Sequence, residues 1–331
     1  MKIGVIGYGM MARMLMDSMQ KVDGYELWAI AGLPRGEEKL KKFKEDYKLS
    51  YYTTDYHDLL NDKDIDAIYV ATPNNTHYAY GVDILKAGKH CLMEKPFCSF
   101  VKETEELMEL AKRNNVILFE AITNQHLPSF KFIKENLAKI GDIKLIMMSF
   151  CKNSSRYDRF KQGDIAPVFD LKQHGGALGD LNVYNIHLAL GLFGKPKKVS
   201  YEANLNNGLD TSGIVYLDYD GFKAALLAGK DNNGPYLVSI QGDNGYFVAN
   251  DCSSIIKNVE MHINKEDVIS YQNDMEDHYY YELAEFMRLV DDKDFNKAQE
   301  YLSHDLMVME VLEEARNSAG IFFDPIHSQS L

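Results

Sequence analysis

The N-terminal part of this chain alternates short apolar runs with amphipathic ones, and that alternation narrows the possible folds more than any other feature. Lys2 to Ile6, Tyr25 to Ala31, Asp66 to Ala71, His90 to Met93 and Val116 to Phe119 read as strands. Between them lie "MMARMLMDSMQ", "GEEKLKKFKEDY", "THYAYGVDILKAG" and "FVKETEELMELAKRNN", whose apolar residues recur with helical spacing. Strands joined through helices of this length form parallel βαβ units, because a parallel neighbour is reached only by a crossover.

From Ile143 the texture changes. "IKLIMMSFCK", "KKVSYEANL", "SGIVYLDY", "FKAALLAG", "YLVSIQG" and "GYFVAN" run with period two, as strands of an antiparallel sheet with one buried face do. The chain then returns to helix in "HYYYELAEFMRLV" and "NKAQEYLSHDLMVMEVLEEARNSAG". No repeat, low-complexity tract or Pro/Gly-rich linker separates the textures, so the join is placed near Ala121 to Pro128. Two α/β domains are expected: residues 1–122, a doubly wound parallel sheet, and residues 123–331, built on a large, mostly antiparallel sheet. The length of 331 residues, 46% hydrophobic and 26% charged, suits two ordinary cores.

Charge narrows the partners. With 49 acidic residues against 36 basic the formal charge is -13, which disfavours nucleic acid and anionic membrane surfaces and leaves a small molecule. Cys91, Cys98, Cys151 and Cys252 form no C-x-x-C pair, so neither a disulfide framework nor a thiolate zinc site is indicated, and no metal is expected. No window approaches the ~18 apolar residues of a membrane span. The N-terminus "MKIGVIGYGM" lacks a signal-peptide layout. A cytoplasmic protein is expected.

In "VIGYGMMARML", Gly7, Gly9 and Ala12 occupy the small positions of G-x-G-x-x-G/A, directly after a strand and at the opening of a helix. Gly7 permits the tight turn, Gly9 lets backbone approach a pyrophosphate, and Ala12 allows close packing of helix and strand. The helix opening at Met10 and Met11 offers free N–H groups to the phosphates. The pattern predicts a dinucleotide in a Rossmann domain. An NAD ribose would be held by a carboxylate at the exit of the second strand, but that exit reads "AIAGLPRG", with Gly32 where the acid belongs and Arg35 beside it. Arg35 and Lys39 either meet the 2′-phosphate of NADP or are a solvated helix start; NADP is preferred over NAD.

"ATPNNTHYAYG" ends a strand at the carboxyl edge of the sheet, where ligands of such sheets bind. Thr72 and Pro73 stop the strand, Thr76 is expected to cap the next helix, and Asn74 and His77 either face the cofactor or serve the turn and the surface. "CLMEKP" ends a strand at the same edge. Pro96 bars further pairing and fixes a turn through a cis or trans Lys95-Pro96 bond, while Glu94 and Lys95 leave the core either for the cofactor cleft or as an exposed ion pair. Further on, "HGGALGDLNVYNIHLALGLFG" sets Asp180, Tyr184 and His187 at i, i+4 and i+7 after the loop of Gly175 and Gly176. On an α-helix that is one stripe, read either as an acid/base array or as structurally satisfied polar groups.

G-Y-G-M-M-A, T-P-N-N-T-H, E-K-P and G-G-A-L-G-D-L-N-V-Y-N-I-H, in this order and over nearly the whole chain, resemble the glucose-fructose oxidoreductase / inositol dehydrogenase (Gfo/Idh/MocA) family. "LFEAITNQHLPSF" and "GDIKLIMMSF" resemble its dihydrodiol and xylose dehydrogenase branch. The resemblance implies hydride transfer between a nicotinamide cofactor and a hydroxyl carbon of a sugar, polyol or diol, and a homodimer or homotetramer formed through the C-terminal sheet. It puts the cofactor loop on Gly7, Gly9 and Ala12, cofactor contacts on Pro73, Asn74, His77 and Glu94, the catalytic lysine on Lys95, and the acid/base pair on Asp180 and Tyr184. Inositol dehydrogenases of the family carry histidine where this chain has Tyr184, which points to the other branch. Asn182 replaces a usual glycine and Gln125 a frequent arginine, both near the expected substrate.

The mechanism this implies has Tyr184, acidified by Lys95, exchanging the hydroxyl proton, with Asp180 orienting Lys95 or the substrate and His187 binding a substrate hydroxyl. Arg156 and Arg159 either greet an acidic substrate or are solvated loop charges. The alternatives are an NAD-dependent glycosidase that uses its redox step transiently, and a non-catalytic dinucleotide sensor.

Overall fold

A computed structural model describes residues 1–324. Strands β1 (Lys2–Ile6), β2 (Glu26–Ala31), β3 (Tyr51–Thr53), β4 (Ala67–Val70), β5 (His90–Glu94) and β6 (Leu118–Ala121) form one parallel sheet in the order β3-β2-β1-β4-β5-β6. Helices α1 (Met10–Met19), α2 (Glu37–Tyr47), α3 (His57–Asn61), α4 (His77–Lys86) and α5 (Val101–Asn114) provide the crossovers. The strand order reverses between β1 and β4, so the loops after those strands flank the switch point of the sheet. Strands β4 and β6 are buried at every position, as strands covered on both faces must be. Local signals set the helix ends: the Glu103 carboxylate accepts from the N–H groups of Ser99 and Phe100 at 3.0 and 3.2 Å, and Asn115 closes α5 in the left-handed conformation.

The second sheet contains β7 (Ile143–Cys151), β8 (Lys198–Asn206), β9 (Leu209–Tyr219), β10 (Phe222–Gly229), β11 (Leu237–Gly242), β12 (Gly245–Ala249), β13 (Asn258–Ile263) and β14 (Ile269–Gln272). Its order is β14-β13-β12-β11-β7-β10-β9-β8, antiparallel except where β7 meets β10. Ile146, Met148, Val215, Leu226, Ile240 and Phe247 point to its buried face. Helices α6 (Pro128–Asn136), α7 (Tyr157–Lys161) and α8 (Val183–Phe193) precede or interrupt the strands, and α9 (Tyr279–Asp291) and α10 (Phe295–Ser318) end the described chain. No helix of the described residues is long and apolar enough to cross a membrane.

The chain divides into two compact units, Met1–Ala121 with Tyr279–Leu306, and Ile122–His278 with residues 307–324. The expected second domain, 123–331, therefore differs from the observed unit, and its end at 325–331 lies outside the described residues. The physical reason is apolar burial. Leu283, Phe286, Leu289 and Ala298 belong to one core with Ile3, Val5, Leu92 and Phe119, and the ring of Phe286 lies 5.7 Å from that of Phe119. Three strands had no legible signal. β3 has only three residues, and β13 and the edge strand β14 are polar-rich. β6 begins at Leu118 rather than Val116, because the run from Val116 to Phe119 is buried throughout and burial alone cannot mark a strand start.

Phe286→Ala is expected to destabilise the chain by roughly 3–5 kcal/mol, the usual cost of emptying a buried phenylalanine site. Denaturant unfolding monitored at the first unit measures it, and a loss under about 1 kcal/mol would detach α9 from that core.

Candidate active site

The first unit carries the glycine loop, the strand exits and the E-K-P turn. Gly7 has φ +115, and a Cβ there would stand 2.2 Å from the Ala71 carbonyl oxygen, so only glycine lets the loop cross the end of β4. Gly9 is exposed, caps α1 without a side-chain bond, and has nothing within 4 Å of where its Cβ would be. The start of α1 at Met10 is exposed, while Ala12 is fully buried against the core. Bare backbone at a helix N-terminus, beside the switch point, fits the pyrophosphate of a dinucleotide. At the exit of β2, Gly32 is followed by the exposed Arg35 and Lys39.

At the exit of β4, Thr76 does not cap α4. Its hydroxyl donates to the Pro73 carbonyl at 2.7 Å and lies 2.8 Å from the Thr72 hydroxyl, because a 3-10 turn over Asn74–Thr76 intervenes before the helix. Thr72, Pro73 and Asn74 are partly exposed along this edge. His77 is completely buried: its Nδ1 lies 3.0 Å from the Pro96 carbonyl and its Nε2 3.0 Å from the Thr72 carbonyl. Burial, aided by the Lys95 charge, lowers its pKa. With each ring nitrogen against a backbone carbonyl and one N–H to donate, His77 braces the two edge loops and is a positioning residue.

The Lys95-Pro96 bond is cis. Glu94 is nearly buried, and its carboxylate accepts from the Tyr69 hydroxyl at 2.5 Å and from the Lys95 backbone N–H at 3.3 Å. Lys95 is partly buried and its charge acts on Glu120, a wholly buried carboxyl hydrogen-bonded to Asp305. Burial pushes both members of that pair above the usual carboxylate range, so they retain a proton between them. Sequence reading missed both. Glu120 sits inside the apolar run "LFEA", and a carboxylate in such a run was the available signal.

The second unit carries the other group. Asp180 lies in a π-helical turn, Leu178–Asn182, that leads into α8, so it does not keep the α-helical bearing towards Tyr184 that the expected stripe requires. The turn is anchored by Asp210, whose buried carboxylate accepts from the Leu178 N–H at 2.6 Å and the Tyr201 hydroxyl at 2.8 Å. Burial pushes the pKa of Asp210 up to about 6 against those bonds. The Asp180 carboxylate pairs with the ammonium of Lys230, which is 5% exposed and stands 5.6 Å above the Phe169 ring. Lys230 was not foreseen, although it ends the apolar run "FKAALLAGK" much as Lys95 ends "CLMEK".

Tyr184 is 9% exposed, with its ring 6.0 Å from that of Phe150. His187 has no exposed surface, and burial lowers its pKa to about 3, so it is neutral near pH 7. The two departures expected to face the substrate turn inward instead. Asn182 donates to the Leu226 carbonyl at 3.0 Å, and Gln125 donates to the His187 carbonyl at 2.9 Å, so both amides hold α8 in place. Arg159 pairs with Asp164 in its own loop, while Arg156 is exposed.

A dinucleotide-binding parallel unit followed by a mixed-sheet unit with a polar helix N-terminus describes a two-domain nicotinamide oxidoreductase. Residues 1–122 match the family model described as oxidoreductase family, NAD-binding Rossmann fold, and residues 133–248 match the GFO/IDH/MocA C-terminal domain. The chain is 32% identical to the scyllo-inositol 2-dehydrogenase (NADP(+)) IolU of Bacillus subtilis, over 97% of this chain and 98% of that one. It is 27% identical to the trans-1,2-dihydrobenzene-1,2-diol dehydrogenase of Xenopus tropicalis, over 69% and 68%. In fold it matches the 3-ketoreductase KijD10 of Actinomadura kijaniata with a TM-score of 0.82 at 22% identity, covering 96% of this chain and 97% of that one. The chain belongs to the Gfo/Idh/MocA family, and it is an NAD(P)-dependent dehydrogenase acting on CH–OH groups.

The buried His187 predicts an acid sensitivity. Its folded pKa lies below the ordinary 6.5, so at neutral pH it costs nothing, and as pH falls below 6.5 the unfolded chain takes up a proton that the folded chain refuses. Stability is thereby lost by about 2 kcal/mol at pH 5. Melting curves from pH 7 to pH 5 should show a smaller decline in His187→Gln than in the parent; equal slopes would exclude this group.

Proposed function

We propose that the chain uses NADP(H) to interconvert the hydroxyl and carbonyl forms of a polyol or sugar carbon, with Lys95, Asp180 and Tyr184 as its catalytic residues. One observation carries this reading: Asp180 is partly exposed, with its side chain at 30% accessibility, yet held by an ammonium that is almost completely buried. A module that only bound dinucleotide would not need to bury a lysine for the sake of a carboxylate at the start of α8. The relatives are named as dehydrogenases, which favours neither glycosidic cleavage nor a sensor role.

When bound, the nicotinamide supplies or accepts the hydride. The backbone at Gly9, Met10 and Met11 holds its phosphates, with Thr72, Pro73, Asn74 and Glu94 along the same sheet edge. Tyr184, a phenol of ordinary pKa about 10 that needs a cation to work near neutrality, exchanges the hydroxyl proton, and Lys95 is the catalytic ammonium of this reading. Asp180, held by Lys230, accepts a hydrogen bond from a substrate hydroxyl. His187, neutral and wholly buried, is read as a structural group of α8 and not as a substrate contact. The inositol relative makes scyllo-inositol the first substrate to try.

We also propose a dimer through the outer face of the second sheet. Val248, Ser239, Met147, Ala225 and Tyr216 stand in register across five strands, and Met147 and Tyr216 are 42% and 45% exposed. Apolar side chains as exposed as Met147 and Tyr216 on one sheet face mark an interface. The four unpaired cysteines accord with work in the cytoplasm.

With scyllo-inositol and NADP as probes, Lys95→Met should lower kcat by roughly two to four powers of ten while NADPH still raises the melting temperature; undiminished turnover removes Lys95 from the chemistry. Lys230→Met should reduce kcat/KM at least tenfold, with partial recovery in Lys230→Arg. A parent enzyme whose melting point responds to neither NADPH nor NADH would overturn the cofactor assignment. Met147→Glu should halve the sedimenting mass, and an unchanged mass would place the interface elsewhere.

A further inference from the structure

We infer that Tyr8 sets the cofactor choice, by occupying the space in which an NAD-type carboxylate would stand. The inference rests on the NADP reading above and names the residue behind it. Tyr8 lies between the two glycines of the first turn, and its ring extends across the exit of β2. A Cβ on Gly32 would stand 2.4 and 2.5 Å from the Cδ1 and Cε1 atoms of that ring, and a Cβ on Gly36 would stand 2.2 and 2.4 Å from its Cζ and hydroxyl oxygen. Side chains do not approach that closely, so while the ring is in place neither position can carry one. The ring packs against the buried core of the first unit, which restricts its freedom to swing aside.

The chemical consequence concerns the adenosine ribose. A free 2′-hydroxyl is held by an acidic side chain at the end of the second strand, and that side chain would repel a 2′-phosphate. Tyr8 excludes the acid sterically, so the repulsion is never present. The same loop offers cations. Arg35 and Lys39 are exposed, and Lys39 Nζ lies 5.8 Å from the centre of the Tyr8 ring. The neighbouring acids Glu37 and Glu38 are met by Lys41 at 3.4 and 2.8 Å, which leaves Arg35 and Lys39 for an anion. Selectivity is therefore a property of the pair Tyr8 and Gly32, and changing the strand exit alone does not switch it.

The test is a mutant cycle on the full chain, read by fluorescence titration with NADPH and NADH and by thermal shift with 2′,5′-ADP and 5′-AMP, so that no turnover is needed. Tyr8→Phe should keep the parental preference. Gly32→Asp should weaken NADPH at least tenfold without gaining NADH, and the double variant Tyr8→Ala with Gly32→Asp should bind NADH at least tenfold more tightly than Gly32→Asp. Should Gly32→Asp alone bind NADH as tightly as the double variant, Tyr8 is not the determinant. Because the acid could unfold the loop, Gly32→Ala is measured as well, without ligand. It should lower the melting temperature by several degrees in the parent and by much less in the Tyr8→Ala background, and equal losses in both backgrounds overturn the proposal. A parent chain that prefers NADH or binds neither nucleotide rejects the NADP reading itself, whereas a parent that prefers NADPH with no coupling between positions 8 and 32 rejects only the role of Tyr8.

Discussion

The carboxyl edge of the parallel sheet is held by an imidazole that has no contact with water. His77 stands between the Thr72 and Pro96 carbonyls, each 3.0 Å from a ring nitrogen, and so ties the loop after β4 to the turn after β5. Those two loops present Asn74 on one side and Glu94 and Lys95 on the other. Burial lowers the pKa of the ring, and a neutral imidazole has a single N–H, so it donates to one of the two carbonyls while the other contact is close packing. Everything expected of the first unit's ligand edge presupposes that these loops stay in register, and a hinge at either carbonyl would move Lys95 relative to the glycine loop of its own unit.

Charge in this protein is buried in company. Glu94 has the Tyr69 hydroxyl, Glu120 has Asp305, and Asp180 has Lys230. Removing one partner of a buried ion pair costs roughly 3–5 kcal/mol, because the other charge is stranded, whereas an apolar pair of the same volume is often no less stable. Stability alone therefore gives no reason to keep carboxylates and ammonium groups at strand ends and helix starts. Such sites break the local rule that apolar residues fill a core, and proteins concentrate those breaks where chemistry is done.

How much of this was legible depended on the kind of signal. The parallel unit could be read because each βα step repeats a local pattern and because G-Y-G-M-M-A, E-K-P and the glycine loop before Asp180 place unusual residues at element ends. Strand β13 and the edge strand β14 escaped, since their polar content resembles loop, and β3 was too short to show a period. The membership of α9 in the first core could not be read at all: it depends on Phe286 meeting Phe119 across half the chain, and sequence separation carries no trace of that. The π turn had no signal either, and it altered the bearing of Asp180. Lys230 and Glu120 were visible as charges in apolar runs, but only geometry showed which partners they take. Gln125 and Asn182 teach the converse, because residues that differ from a family pattern near a site can be spent on internal hydrogen bonds to backbone carbonyls and neighbouring amides.

The return of α9 and the start of α10 to the first core has a consequence for how the chain is made. On the ribosome the six parallel strands emerge first, yet Leu283, Phe286, Leu289 and Ala298, which complete their apolar layer, are synthesised only after the whole mixed sheet. Until then the nascent β-sheet presents an unfinished hydrophobic wall, and the growing polypeptide must carry it through more than half of translation. Chaperone dependence during synthesis, and sensitivity of yield to the rate of elongation, are built into this order of elements.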